Sequence, residues 1–199
     1  MSTGEEKAWE ILCGLDPEDV SGRADCRFDN VNESYSLESF GQTIDVFPKN
    51  REITGSSTIG NYLVCELGNL SILSILLYLI RAKEVFPSGH LVKPSDLEGG
   101  NIYLKGSHIL PLDMLAEKFG NDSAGFIDAG KRLGGSESGY GDFSIQLFPF
   151  PRVPVVIAVW SGDEEFSSRC ILLFDSTCEL QLPLDALWAT ALLSTKVML

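Results

Sequence analysis

The hydrophobic positions change their period several times along the chain. Near the start, Ala8, Ile11, Leu12 and Leu15 recur at helical spacing with Trp9 beside them. That spacing predicts an amphipathic helix, opened by a capping box from Ser2 or Thr3 to Glu5 or Glu6. "DPEDV" predicts a second, short helix, with Asp16 as cap, Pro17 in the first turn and acids at the positive end of the dipole. From Cys26 to Thr54 the period drops to two. "ESYSLESF", "QTIDVFP" and "REITG" are short, alternating and separated by Gly41 and "PKN", which predicts an antiparallel meander with one solvated face. "YLVCEL", residues 62–67, reads as one more strand.

The middle of the chain is apolar all round. Leu70, Leu73, Leu77 and Ile80 form one stripe, and Ile72, Ile75, Leu76 and Leu79 fill the rest, so a buried helix capped by Asn69 is expected through Ala82. The stretch from Phe86 to Leu104 carries prolines and glycines and predicts a loop with a short strand or turn inside it. Two further helices follow. One opens at Pro111 with Leu112, Leu115, Ala116 and Phe119 inward and stops at Gly120. The other is capped by Asn121 or Asp122, with Phe126, Ile127, Gly130 and Leu133 inward, and ends at Gly134 and Gly135. "SESGYGD" reads as a flexible connection, whose possible role is that of a lid. "FSIQLFPF", "VPVVIAVW" and "RCILLFD" predict three strands, the last two buried on both faces, and a helix with Pro183 near its start closes the chain. Helices, strands, helices, strands and a helix in that order predict one α+β domain over residues 1–199. Its sheet, antiparallel or mixed, packs on the buried central helix with further helices around it.

Composition narrows the function more than the fold. The 199 residues are 44% hydrophobic and 22% charged, which is ordinary for a globular chain. A net charge of −13 repels polyanions, so nucleic acid and anionic membrane surfaces are not expected as partners, whereas a protein with a basic surface is compatible. The first residues lack the pattern of a signal peptide, and "LSILSILLYLI" is shorter than the roughly 20 residues a bilayer requires. The five cysteines have irregular spacing with no CxxC and no histidine at ligand distance. Free, buried thiols in a reducing cytoplasm are expected, with no metal and no detectable cofactor.

No nucleophile elbow, zinc motif, phosphate loop or dinucleotide fingerprint is present. His90 and His108 stand in turn-like contexts, where a base or ligand role and a plain surface role are both open. The most distinctive feature is the acidic run Asp163, Glu164 and Glu165 between the two most apolar strands. In extended backbone Asp163 and Glu165 share a side. They then hold a divalent cation, meet Arg152 or Arg169 across the sheet end, or form a hairpin tip that keeps the sheet edge from pairing. Trp160, Asp163, Glu164, Glu165, Arg152 and His90 are the candidate binding or interaction residues.

"LDPEDV", "LSILSILLYLIRA", "EGGNIYL", "AGKRLGG", "FPFPRVPVVIAVWSGDEEF", "ILLFD" and "LPLDALW" occur in the order found in the family known as domain of unknown function 3786, and nearly the whole chain resembles it. The departures are a central helix reading "LLYLI" where the family commonly has a histidine, and His90 where it tends to have an aromatic residue. The resemblance implies membership of a bacterial and archaeal family without an established activity, drawn mostly from anaerobes, some of whose members carry an iron–sulfur domain found with corrinoid proteins. It points to a soluble cytoplasmic accessory or binding protein, not catalytic itself, serving anaerobic redox or one-carbon metabolism. The alternative is an enzyme, or a binder of a small ligand or metal, with a pocket near Trp160–Phe166, the Gly134–Gly141 loop and the His90 loop.

Overall fold

The computed structural model describes residues 3–199 apart from Lys105. It begins with helices α1 (Thr3–Cys13) and α2 (Pro17–Ala24). Strands β1 (Arg27–Asp29), β2 (Ser34–Ser39), β3 (Gln42–Phe47) and β4 (Glu52–Gly55) then form a four-stranded antiparallel meander in chain order. A short α3 (Thr58–Asn61), the central α4 (Gly68–Arg81), β5 (Leu91–Val92), α5 (Leu112–Phe119) and α6 (Ser123–Arg132) follow. The last part contributes β6 (Ser136–Glu137), β7 (Phe143–Phe150), β8 (Val153–Trp160), β9 (Arg169–Asp175), α7 (Cys178–Gln181) and α8 (Leu184–Met198). The second sheet has five antiparallel strands in the order β5-β9-β8-β7-β6. The fold is α+β, as the run of elements predicts.

The centre of the second sheet is β8, whose residues Val153 to Val159 are wholly buried, which explains why "VPVVIAV" shows no polar alternation. Beside it, the register of β7 shifts between Leu147 and Phe150, where Pro149 has no amide to give to the ladder. Phe148 O there accepts a hydrogen bond from Phe40 N at 2.8 Å, which ties the two sheets together. Phe40 and Gly41 both have positive φ, the signature of a two-residue hairpin turn between β2 and β3. A phenylalanine there costs about 1–2 kcal/mol of backbone strain. Burial of its ring offsets that cost.

Helix α4 lies among α1, α2 and α8. Tyr78 on α4 stacks on Phe150 at 4.6 Å, donates to Ala24 O and accepts from Arg152 N, so one buried side chain joins α2, α4 and the sheet. On α8, Thr190, Ser194 and Thr195 are buried, and each hydroxyl returns to a carbonyl of its own helix. These small side chains let α8 pack closely without leaving polar atoms unpaired.

The differences from expectation are local. Residues 62–66 form a π-helical turn rather than a strand, because Leu63 and Val64 are both buried while Tyr62, Cys65 and Glu66 are exposed. The chain re-aims at Gly68, whose φ of 54° begins α4 one residue before the expected Asn69 cap. In α1 the inward face is Glu5, Ala8, Trp9 and Leu12, leaving Ile11 exposed. Of the expected capping box, Ser2 lies outside the described residues and Thr3 is already helical. The expected flexible connection is a hairpin: Ser136 and Glu137 pair with Gln146 and Ile145, and Ser138 N donates to Ser144 O.

Candidate functional site

The acidic turn is built mostly by its own backbone. Asp163 Oδ1 accepts from Glu165 N at 2.8 Å and Phe166 N at 2.7 Å, and Asp163 N donates to Phe166 O. Those two amides hold the Asp163 carboxyl below its ordinary pKa. Asp163 is therefore spent on shaping the turn and does not pair with Glu165 as an extended backbone would arrange. Glu164, Glu165 and Phe166 are left exposed at the tip, Phe166 to 71%. Both legs are anchored. Ser161 N donates to Asp142 Oδ2 at 2.8 Å, and Ser168 Oγ donates to Ala116 O of α5 at 2.9 Å.

The anchor at Ser161 leads into a cleft of about 720 Å³ between the start of α6, the β6–β7 hairpin and the first residue of the turn. Asp128, Glu137 and Asp142 supply its carboxylates, and Asn121, Ser123, Ser138, Ser144 and Ser161 most of its other polar groups. The hairpin wall is held by Asp142 N donating to Val159 O and by Ser144 Oγ accepting from Tyr140 N. Asp122 caps α6 by accepting from Gly125 N at 2.9 Å, as its sequence position predicts. Glu137 pairs with Lys131 at 2.7 Å on the surface. Cleft and turn thus share a residue and form one acidic end of the sheet.

The other expected site residues are not brought there. Arg152 stands just before β8, whose far end lies about 26 Å away at ~3.3 Å per residue. It is buried, donating from Nε to Arg23 O and from Nη2 to Gly22 O at the C-terminal end of α2, with its guanidinium 5.0 Å from the Phe86 ring. A cation is favoured there by the helix dipole, so Arg152 is a structural cap and does not face the acids. His90 lies at the same end of the sheet as Arg152, where buried Asp175 accepts from Ser88 N, Gly89 N, Thr177 N and the Ser88 and Thr177 hydroxyls. The His90 backbone accepts from Ser176 N, and its side chain is exposed. The pocket expected near three loops is therefore lined at two of them, with His90 elsewhere. Arg169 faces Trp160 across the β8–β9 ladder, 4.3 Å from the indole ring, instead of reaching the acids.

All five cysteines are free. Burial pushes the thiols of Cys170 and Cys178 up to about 12 and that of Cys26 up to about 11, which keeps them protonated. Cys13 and Cys65 are exposed, against the expectation that the thiols are buried. Among the described residues no three His, Cys, Asp or Glu side chains are grouped so as to hold a metal ion. Sequence reasoning missed Phe166 and the cleft carboxylates. The available signal for the cleft was "SESGYGDFSIQLF", a glycine-containing turn leading into an alternating strand, which is a hairpin pattern.

Residues 16–196 match the family described as a domain of unknown function, DUF3786. The chain belongs to the DUF3786 family. No curated protein and no solved structure matches it. No single helix among the described residues is long and apolar enough to cross a membrane.

Proposed function

We propose that this DUF3786 protein is a binding module that receives a cationic segment of a partner protein on the acidic cleft and the neighbouring turn, and does not itself catalyse a reaction. The observation that carries the reading is the Ser161–Asp142 hydrogen bond, which ties the turn that bears Glu164 and Glu165 to the wall of the acidic cleft. The side chains there serve recognition well. Glu164 and Glu165 offer exposed charge, Phe166 offers an exposed ring beside them, and Asp163 and Asp142 hold the backbone in place before a partner arrives. The net charge of −13 speeds encounter with a basic segment. We place the protein in the cytoplasm of an anaerobe as an accessory to a redox or one-carbon system, corrinoid or iron–sulfur, a setting that rests on the family resemblance alone.

The test is calorimetric titration with a ten-residue oligolysine peptide at low and high salt. Glu164→Ala, Glu165→Ala and Asp128→Asn combined, with Asp163 retained because it shapes the turn, should weaken binding about tenfold at low salt and leave the melting curve unchanged. Equal affinity in the variant would sink the proposal. The cleft volume favours one rival occupant, a small cationic molecule, because 720 Å³ falls within the range of ordinary ligand pockets. Spermidine raising the melting temperature while oligolysine fails to bind would select that reading.

A further inference from the structure

A second cleft, of about 500 Å³, lies against a different face of α6, and its chemistry is the reverse of the first. Gly125, Ala129, Arg132 and Leu133 recur at helical spacing along that face. The opposing wall is apolar: Phe119 from α5, Val197 and Met198 from α8, and Ile59 and Tyr62 from α3 and the π-helical turn. No carboxylate side chain lines it, although the chain carries 28 acids against 15 Lys and Arg. Two cations do, Lys118 and Arg132. Lys118 donates to the backbone oxygens of Met198 and Leu199 and sits 4.7 Å from the Phe119 ring. Arg132 has no carboxylate within ion-pair distance among the described residues.

An unpaired guanidinium at the edge of an apolar cleft, in a protein otherwise rich in acid, selects its occupant by charge as well as by shape. A cationic molecule is repelled by Lys118 and Arg132, and a molecule without apolar surface leaves most of the lining uncovered. A polyanion meets the repulsion of the remaining surface. We propose that this cleft binds an amphiphile with one anionic head group, carboxylate or phosphate monoester, and an alkyl body. The head lies on Arg132, and the body runs along Ile59, Phe119, Leu133 and Val197. Walls and volume are those of an ordinary small-molecule pocket, roughly 300–1,000 Å³ and mostly apolar. The π-helical turn at residues 62–66 is consistent with such a site, since turns of this kind are frequent at functional sites. This inference is independent of the acidic cleft.

The experiment titrates the full chain with dodecanoate and dodecyl phosphate below their micellar concentrations, with dodecanol and dodecyltrimethylammonium as neutral and cationic controls. At least one anion should bind saturably and more tightly than both controls, and the preferred anion identifies the head group. Arg132→Gln should weaken it at least about tenfold, and Arg132→Lys should recover part of the loss. Ala129→Phe, which fills the cleft from α6, should abolish binding with or without the charge. Arg132 is exposed, so its variants should fold normally, checked by circular dichroism. Dodecanol binding as tightly as the anions, no saturable binding of either anion, or unchanged affinity in Arg132→Gln would each overturn the proposal.

Discussion

Helix α6 stands between two clefts that share its backbone and little else. On one face Ala124, Ile127 and Asp128 look into a polar space shared with Glu137, Asp142 and Ser161. On another face, about a third of a turn away, Gly125, Ala129 and Arg132 look into an apolar space shared with Phe119, Val197 and Met198. Between them Phe126 and Gly130 are buried against the sheet. The difference shows how a helix with one inward stripe presents two further faces whose character is set by what the fold lays beside them. Strand ends and a hairpin bring carboxylates to the first. Helix ends bring apolar side chains and cations to the second.

The strongest way to break the comparison is to move α6 itself. A Cβ at Gly130 would lie 2.3 Å from Ile145 Cγ1, so the helix approaches β7 only because that carbon is missing. Gly130→Val should lift α6 from the sheet and cost about 3 kcal/mol of stability, read from chemical denaturation. Oligolysine and dodecanoate binding should both fall. If both survive at the wild-type midpoint, α6 is not seated by this contact, and the clefts do not depend on its position.

A loss of that size can weaken binding simply by unfolding the protein, so a destabilised control is needed. Asp175 provides it at the far end of the sheet. Burial raises its pKa, but the amide and hydroxyl of Thr177 and the amides of Ser88 and Gly89 more than offset this and hold it below the ordinary value. Because the folded-state pKa is the lower one, the carboxylate's contribution is fully present above the unfolded value of about 3.9. It is lost as pH falls from there through the folded-state value. Asp175→Asn should cost about 2 kcal/mol at neutral pH, with the gap from the wild type closing below about pH 4. Both ligands should bind it as they bind the wild type at neutral pH. A gap that stays constant down to pH 2 would mean that the charge of Asp175 contributes nothing.

Much of this frame is legible in the sequence because its signals are local. Asp16 with Pro17, Asp122 before α6, and Gly134 after it mark helix ends wherever they occur. The unbroken apolar run of β8 announces a central strand. The sites are less legible because they are made by pairing. Asp128 meets Glu137 and Asp142 across a cleft only because Glu137 pairs with Ile145 and Asp142 N bonds to Val159 O. Arg152 reads as a partner for the acids because it is close in sequence, yet a strand of eight residues carries the two to opposite ends. Residues 62–66 read as a strand because they are apolar in composition, although their burial follows a helix.

The smallest and most selective effect falls on the bond that joins the acidic turn to its cleft. Asp142→Ala removes the acceptor for Ser161 N and one cleft carboxylate together, on a residue exposed to solvent. Asp142→Asn keeps an acceptor for that amide and removes only the charge. If preorganisation matters, the alanine variant should bind oligolysine several-fold more weakly than the asparagine variant, and raising salt should not close that difference. If charge alone matters, the two variants should match, and both should merge with the wild type at high salt. Dodecanoate affinity should stay within about twofold in either variant, because Asp142 takes no part in the apolar cleft. A matched loss at both clefts would show that they communicate through α6, and the two faces would then have to be treated as one site with two entrances.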